Sequence, residues 1–251
     1  MERALTVRFL LVFLIAFGAT LLGSLSGGSV SLLTTPSWLA LGVPLPTAVA
    51  CDKVAGAFWT ALGSRNYLRH RDVDWRMLLG MGAIGLAGAW LGTRVTVSVD
   101  PVRLKRVVGA LILLAVLAVA IQPQFGLAPR PPRVSRWIVG LLGLPLGFYE
   151  GLLGSGNGIA TTLLLCTGRG FDLPTALGHY YLIAGAWCAF AAVSYISHGF
   201  FDLGLMIPAA AGSLIGGSLG SHFGSRRGAG FLRVVFSIAG IALALKLLLG
   251  G

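Results

Sequence analysis

The sequence predicts an all-α polytopic membrane protein made of two homologous repeats, with eight full transmembrane helices and two short glycine-initiated helices that are re-entrant or broken. Three observations carry this. Of 251 residues, 56% are hydrophobic and 11% charged, where a soluble domain has about 25% charged, and the mean hydropathy is +0.86. Apolar runs recur along the whole chain, so the first reads as a retained span and not a cleaved leader. The sequence also repeats itself without gaps at a constant offset of 128 residues, which lays Gly23 on Gly151, Leu45-Pro46-Thr47-Ala48 on Leu173-Pro174-Thr175-Ala176, Trp59 on Trp187, Tyr67 on Tyr195 and Asp74 on Asp202. A function built on such a duplication belongs where the two copies face each other.

The elements follow in order. An uncharged run at 9–51 is about twice the length one helix needs to cross a bilayer. Glycines at 23, 27 and 28 and prolines at 36, 44 and 46 divide it into a span at about 7–23 and a short helix at about 28–42. The next span, 47–64, carries Asp52 and Lys53 in its first turns, and a basic loop at 65–76 follows it. A span at 77–97 presents a small-residue face (Gly80, Gly85, Gly88, Gly92), and 104–121 spans again. The proline-rich stretch 122–136 is the linker. Repeat two then supplies a span at 137–149, a short helix at 159–167, and spans at 175–196, 203–222 and 232–249. The whole is one integral membrane domain, 1–251, with repeat one at about 7–121 and repeat two at about 137–250.

Re-entrant short helices would give two parallel copies, and crossing ones two inverted copies. The loop at 65–76 holds four arginines and its counterpart at 193–201 none, which favours opposite sides of the membrane. The net charge of +11 lies in short loops between apolar runs, so it points to a lipid bilayer and membrane orientation and not to nucleic acid. Cys51, Cys166 and Cys188 sit in apolar segments without ligand spacing and read as packing residues. No metal or cofactor is expected, and no nucleotide loop is present, so an ion gradient is the expected driving force.

Backbone N–H groups at a glycine-opened helix start form a natural anion site, and broken helices at matching places in two repeats point to a transporter's binding centre. The substrate-binding candidates are therefore Gly27, Gly28 and Ser29 in one copy and Gly154, Ser155, Gly156 and Asn157 in the other, with Lys53, His179 and Tyr180 around them. An acid at membrane depth is costly and usually functional, which makes Glu150 the candidate proton-coupling group and Asp52 the next. An intramembrane hydrolase built on Ser155 and His179 is a remote alternative, because Ser155 aligns with Gly27 and His179 with Cys51. A passive anion channel is the nearer one.

The glycine-rich starts, the Pro-Thr-Ala helix onset, the Asp52-Lys53 pair, the loop Arg69-His70-Arg71-Asp72-Val73-Asp74, the motif Gly147-Phe148-Tyr149-Glu150-Gly151-Leu152-Leu153-Gly154 and the late Lys246 resemble the TauE/SafE, or sulfite exporter, family. The likeness covers nearly the whole chain and is greatest to the uncharacterised branch, in which an Asn-Lys pair stands at 52–53; Asp52 departs from it. The resemblance implies a secondary carrier in the bacterial plasma (inner) membrane that exports a small anion, such as sulfite, a sulfonate or another sulfur-containing species.

Overall fold

A computed structural model describes residues 2–27, 30–95, 125–152, 154 and 156–249, and all regular secondary structure among them is helical. The helices are α1 (Glu2–Gly23), α2 (Ser31–Ala40), α3 (Leu45–Leu68), α4 (Trp75–Val95), α5 (Arg136–Leu141), α6 (Gly143–Leu152), α7 (Asn157–Gly168), α8 (Leu173–Ser197) and α9 (Leu203–Leu249). Four described stretches are long and apolar enough to cross a bilayer: Thr6–Gly23, Trp75–Val95, Leu173–Ser197 and Leu203–Ile238. At 24 residues α3 has the length, but Asp52, Lys53 and Arg65 lower its hydropathy, and the first two are satisfied by protein groups instead.

The expected eight spans therefore resolve differently. The span at 104–121 lies outside the described residues. The one at 137–149 is divided into α5 and α6 at Leu142. The last two are joined in α9, where no loop intervenes: Gly228, at φ 78°, redirects the chain in one residue. The short helices α2 and α7 stand close to their expected places.

Helix starts are fixed by side chains. Asp74 Oδ1 accepts the Met77 N–H at 3.1 Å, and 128 residues later Asp202 Oδ1 accepts the Leu205 N–H at 3.2 Å; each satisfies a donor that the first turn leaves open. Asp172 does the same for α8 through the Thr175 N–H.

Small residues then bring helices to backbone contact. A Cβ on Gly143, Gly147 or Gly151 of α6 would collide with the carbonyls of Met81, Gly85 and Ala89, so α6 runs parallel to α4. A Cβ on Gly212, Gly216 or Gly220 would strike the carbonyls of Phe13, Phe17 and Leu21, so α9 runs parallel to α1. Between them α3 and α8 cross antiparallel: Gly56 faces Cys188, Gly63 faces Tyr181, and Leu68 faces Gly178. Trp59 meets Tyr181 edge-on at 4.8 Å in this central pair.

Ion pairs join the ends. Arg169 bonds Asp74 at 3.1 Å and Arg71 approaches Asp172 at 3.9 Å, which sets the α3–α4 loop beside the α7–α8 loop. The Arg133 N–H donates to the Gly168 carbonyl on the same face. At the opposite face Arg8 meets Asp202 at 3.5 Å.

Candidate functional site

The two helix breaks meet at the centre of the molecule. In the first, α1 ends at Gly23 and a turn leads to Gly27 at φ 79°. In the second, α6 ends at Leu152, and Gly154 (φ 72°) and Gly156 (φ 84°) aim the chain into α7; left-handed backbone of this kind suits glycine alone without strain. A Cβ on Gly158 would collide with the Gly27 carbonyl and the Tyr180 ring, so the two broken segments touch backbone to backbone. The carbonyls that the breaks leave open are met by tyrosines: Ser24 O accepts from Tyr67 at 3.0 Å and Tyr181 at 2.8 Å, and Gly151 O accepts from Tyr195 at 3.0 Å. Backbone freed at membrane depth needs such partners.

Beside the meeting point lies a buried ion pair. Lys53 Nζ donates to Glu150 Oε1 at 2.7 Å, and the two residues are 2% and 4% exposed. The other carboxylate oxygen, Oε2, accepts from Asn157 Nδ2 at 2.7 Å, and the Cys188 thiol approaches Oε1 at 3.4 Å. Lys53 comes from α3, Glu150 from α6, Asn157 from α7 and Cys188 from α8, so four elements converge on one carboxylate. Charges removed from water persist only when paired and hydrogen-bonded in this way. Gly154 is fitted to the pair as well, since a Cβ there would strike Lys53 Nζ and the Glu150 carboxylate.

A cavity of about 30 Å³ adjoins the pair, with room for one water-sized group. Its wall includes Asp52, Gly56 and Thr60 from α3 and Tyr180, Ala184 and Cys188 from α8. Those six positions match pairwise at the 128-residue offset, one turn apart along each helix. Lys53, Glu150, Gly154, Ser213 and Trp38 also line it.

Among the candidates named from sequence, Lys53, Glu150, Gly154, Tyr180 and Asp52 come together at this cavity, Asn157 reaches it through its bond to Glu150, and Gly27 and Gly156 shape the breaks themselves. Asp52 is engaged with α2: its carboxylate accepts from Thr35 Oγ1 at 2.6 Å and Trp38 Nε1 at 2.8 Å. His179 belongs elsewhere. Its Nε2 accepts the Asp74 N–H at 3.1 Å, its Nδ1 faces the Thr175 carbonyl at 2.8 Å, and Phe171 packs on the ring, so it ties α8 to the start of α4 and not to a substrate. Gly28, Ser29 and Ser155 lie outside the described residues. Cys188, read as a packing residue, is a cavity residue bonded to Glu150; the signal that identifies it is the i, i+4, i+8 row from Asp52 carried over to the second copy.

The sequence profile of the family described as Sulfite exporter TauE/SafE matches residues 12–247. The chain belongs to the TauE/SafE family. It is similar to a Sinorhizobium sp protein named "Probable membrane transporter protein ORF9", at 29% identity over 240 residues, covering 94% of this chain and 91% of that one. A Haemophilus influenzae protein named "Probable membrane transporter protein" is 28% identical over 94% of this chain and 93% of its own length. Escherichia coli YfcA, also named a probable membrane transporter protein, is 25% identical over 94% and 88%. No solved structure matches the chain significantly. With four described helices able to cross a bilayer, this TauE/SafE protein is an integral membrane protein.

Proposed function

We propose that this TauE/SafE membrane transporter is a secondary carrier of a small sulfur-containing anion, an oxyanion or an organosulfonate, whose movement is coupled to that of a proton. One observation carries the reading: Lys53, the buried cation among the described residues, stands at the cavity beside the meeting point of the helix breaks and is paired there with the Glu150 carboxylate. Ionised, Glu150 occupies the ammonium and excludes an anion. Protonated, it releases Lys53, whose charge then requires a substitute partner, and the substrate anion supplies it. Proton and anion thus enter together as a neutral load, and the binding of each favours the other. The positive end of the α7 dipole, which begins at Asn157 beside Glu150, adds to the field that favours an anion.

The cavity is too small for sulfite in this closed conformation, so loading requires the helices around it to part. The repeat offers a route. Antiparallel crossing of α3 and α8, matched lining positions and matched caps at Asp74 and Asp202 support two inverted copies, and movement of one copy against the other opens alternate sides of a fixed centre. The face carrying Arg65, Arg69, Arg71, Arg133 and Arg169 reads as cytoplasmic by its basic loops. The hydrolase alternative loses its base, since both ring nitrogens of His179 are engaged.

Sulfite, thiosulfate, sulfoacetate and taurine, tested as ligands by thermal shift of the purified protein, should include one that raises its midpoint, because a ligand of the folded state stabilises it by mass action. In proteoliposomes that anion should show saturable flux and counterflow. Linear, non-saturating flux without counterflow would assign the protein to the channels instead.

A further inference from the structure

An exposed groove lies on the outer side of α4 and α5, and its lining includes neither Lys53 nor Glu150. A groove of about 710 Å³ opens between the two helices near their starts. Leu79, Ile84, Trp137 and Leu141 wall it, and Arg76 and Arg136 stand at its mouth. Its floor is glycine: a Cβ on Gly140 would come to 3.8 Å of the Gly80 backbone, while a Cβ on Gly80 would meet open space. The walls are strongly apolar and outward-facing, with Trp137 80% and Leu79 68% exposed. Trp75, at 59%, joins Trp137 at this level, as aromatic side chains do at a membrane–water boundary.

The arginines give the groove a chemical preference. Both are exposed, and neither is paired with a carboxylate among the described residues. Arg76 lies in the first turn of α4, where the helix dipole disfavours a cation; an anionic group set in front of it offsets that cost. A ligand matching the whole site needs a phosphate at the boundary and a hydrocarbon chain below it. We infer that the α4–α5 groove binds an anionic phospholipid, its phosphate between Arg76 and Arg136 and one acyl chain along the Gly80–Gly140 floor. Basic pockets of this kind at the cytoplasmic leaflet recognise anionic headgroups.

Native mass spectrometry of the detergent-purified chain, titrated with phosphatidylglycerol and with phosphatidylcholine, tests this. The wild type should retain phosphatidylglycerol preferentially. Arg76→Gln with Arg136→Gln should remove the preference, at roughly fivefold in affinity per arginine. Gly80→Leu, which projects into the groove, should weaken retention of both lipids. Both arginines are surface groups, so that variant keeps the test valid if Gly80→Leu fails to fold. Equal retention of the two lipids by the wild type, or an unchanged preference in the double variant, overturns the proposal. It also fails if inorganic phosphate stabilises the protein as well as phosphatidylglycerol does, since the acyl groove then plays no part, or if Gly80→Leu abolishes a dimer, since a second copy then fills the groove.

Discussion

At the scale of single residues, a carboxylate and an ammonium lie buried together at the centre of the protein. Lys53 and Glu150 are legible in sequence as charges inside apolar runs, but their contact joins residues 97 apart, and no local pattern fixes it. Nor does sequence show that Asp52, adjacent to Lys53, turns the other way toward Thr35 and Trp38; on a helix, consecutive residues point about 100° apart, and only the position of α2 decides which one meets a partner. The buried pair makes a stability prediction. Removing one member leaves the other uncompensated, which costs about 3–5 kcal/mol, whereas replacing both with neutral groups is nearly harmless. Lys53→Met should therefore lower the thermal midpoint clearly, and Lys53→Met combined with Glu150→Gln should restore most of it. Equal destabilisation by the single and double variants would show that the two groups do not depend on each other.

At the scale of elements, helix positions were readable because apolar runs and their glycine and proline punctuation both act locally. Where α9 continues through an expected loop, a single glycine with positive φ accomplishes what sequence reading assigns to several residues. The caps predict a graded effect. Asp74 caps α4, bonds Arg169 and presents its N–H to His179, while Asp202 caps α9 and forms a more exposed pair with Arg8. Loss of either cap costs about 1 kcal/mol, so Asp74→Ala should lower the melting temperature more than Asp202→Ala in the same detergent. The break at α7 predicts a sharper one. Gly158→Ala places a methyl against the Gly27 carbonyl and Tyr180, which forces the two broken segments apart; transport should fall severely while the protein stays in the membrane, as quantitative blotting of membranes and flux assays would register.

At the scale of the whole molecule, the 128-residue offset made a duplication legible, but the relative direction of its halves was open because loop charges at 94–106 and 222–233 are basic in both copies. The antiparallel crossing of α3 and α8, which supports the inverted arrangement proposed above, is a fact of packing that composition does not carry. With the basic face cytoplasmic, a cysteine placed at Gly199 should react with an impermeant maleimide in intact cells, and one at Arg133 only after permeabilisation; the reverse pattern would invert the proposed orientation. Proteoliposomes loaded with the anion that the thermal-shift panel identifies show whether Glu150 links a proton to the anion held by Lys53. On an imposed pH gradient the wild type should accumulate the anion, while Glu150→Gln should exchange anion for anion at a comparable rate and accumulate none. Accumulation by Glu150→Gln in response to that gradient would show that Glu150 is not the coupling group and move that role to Asp52.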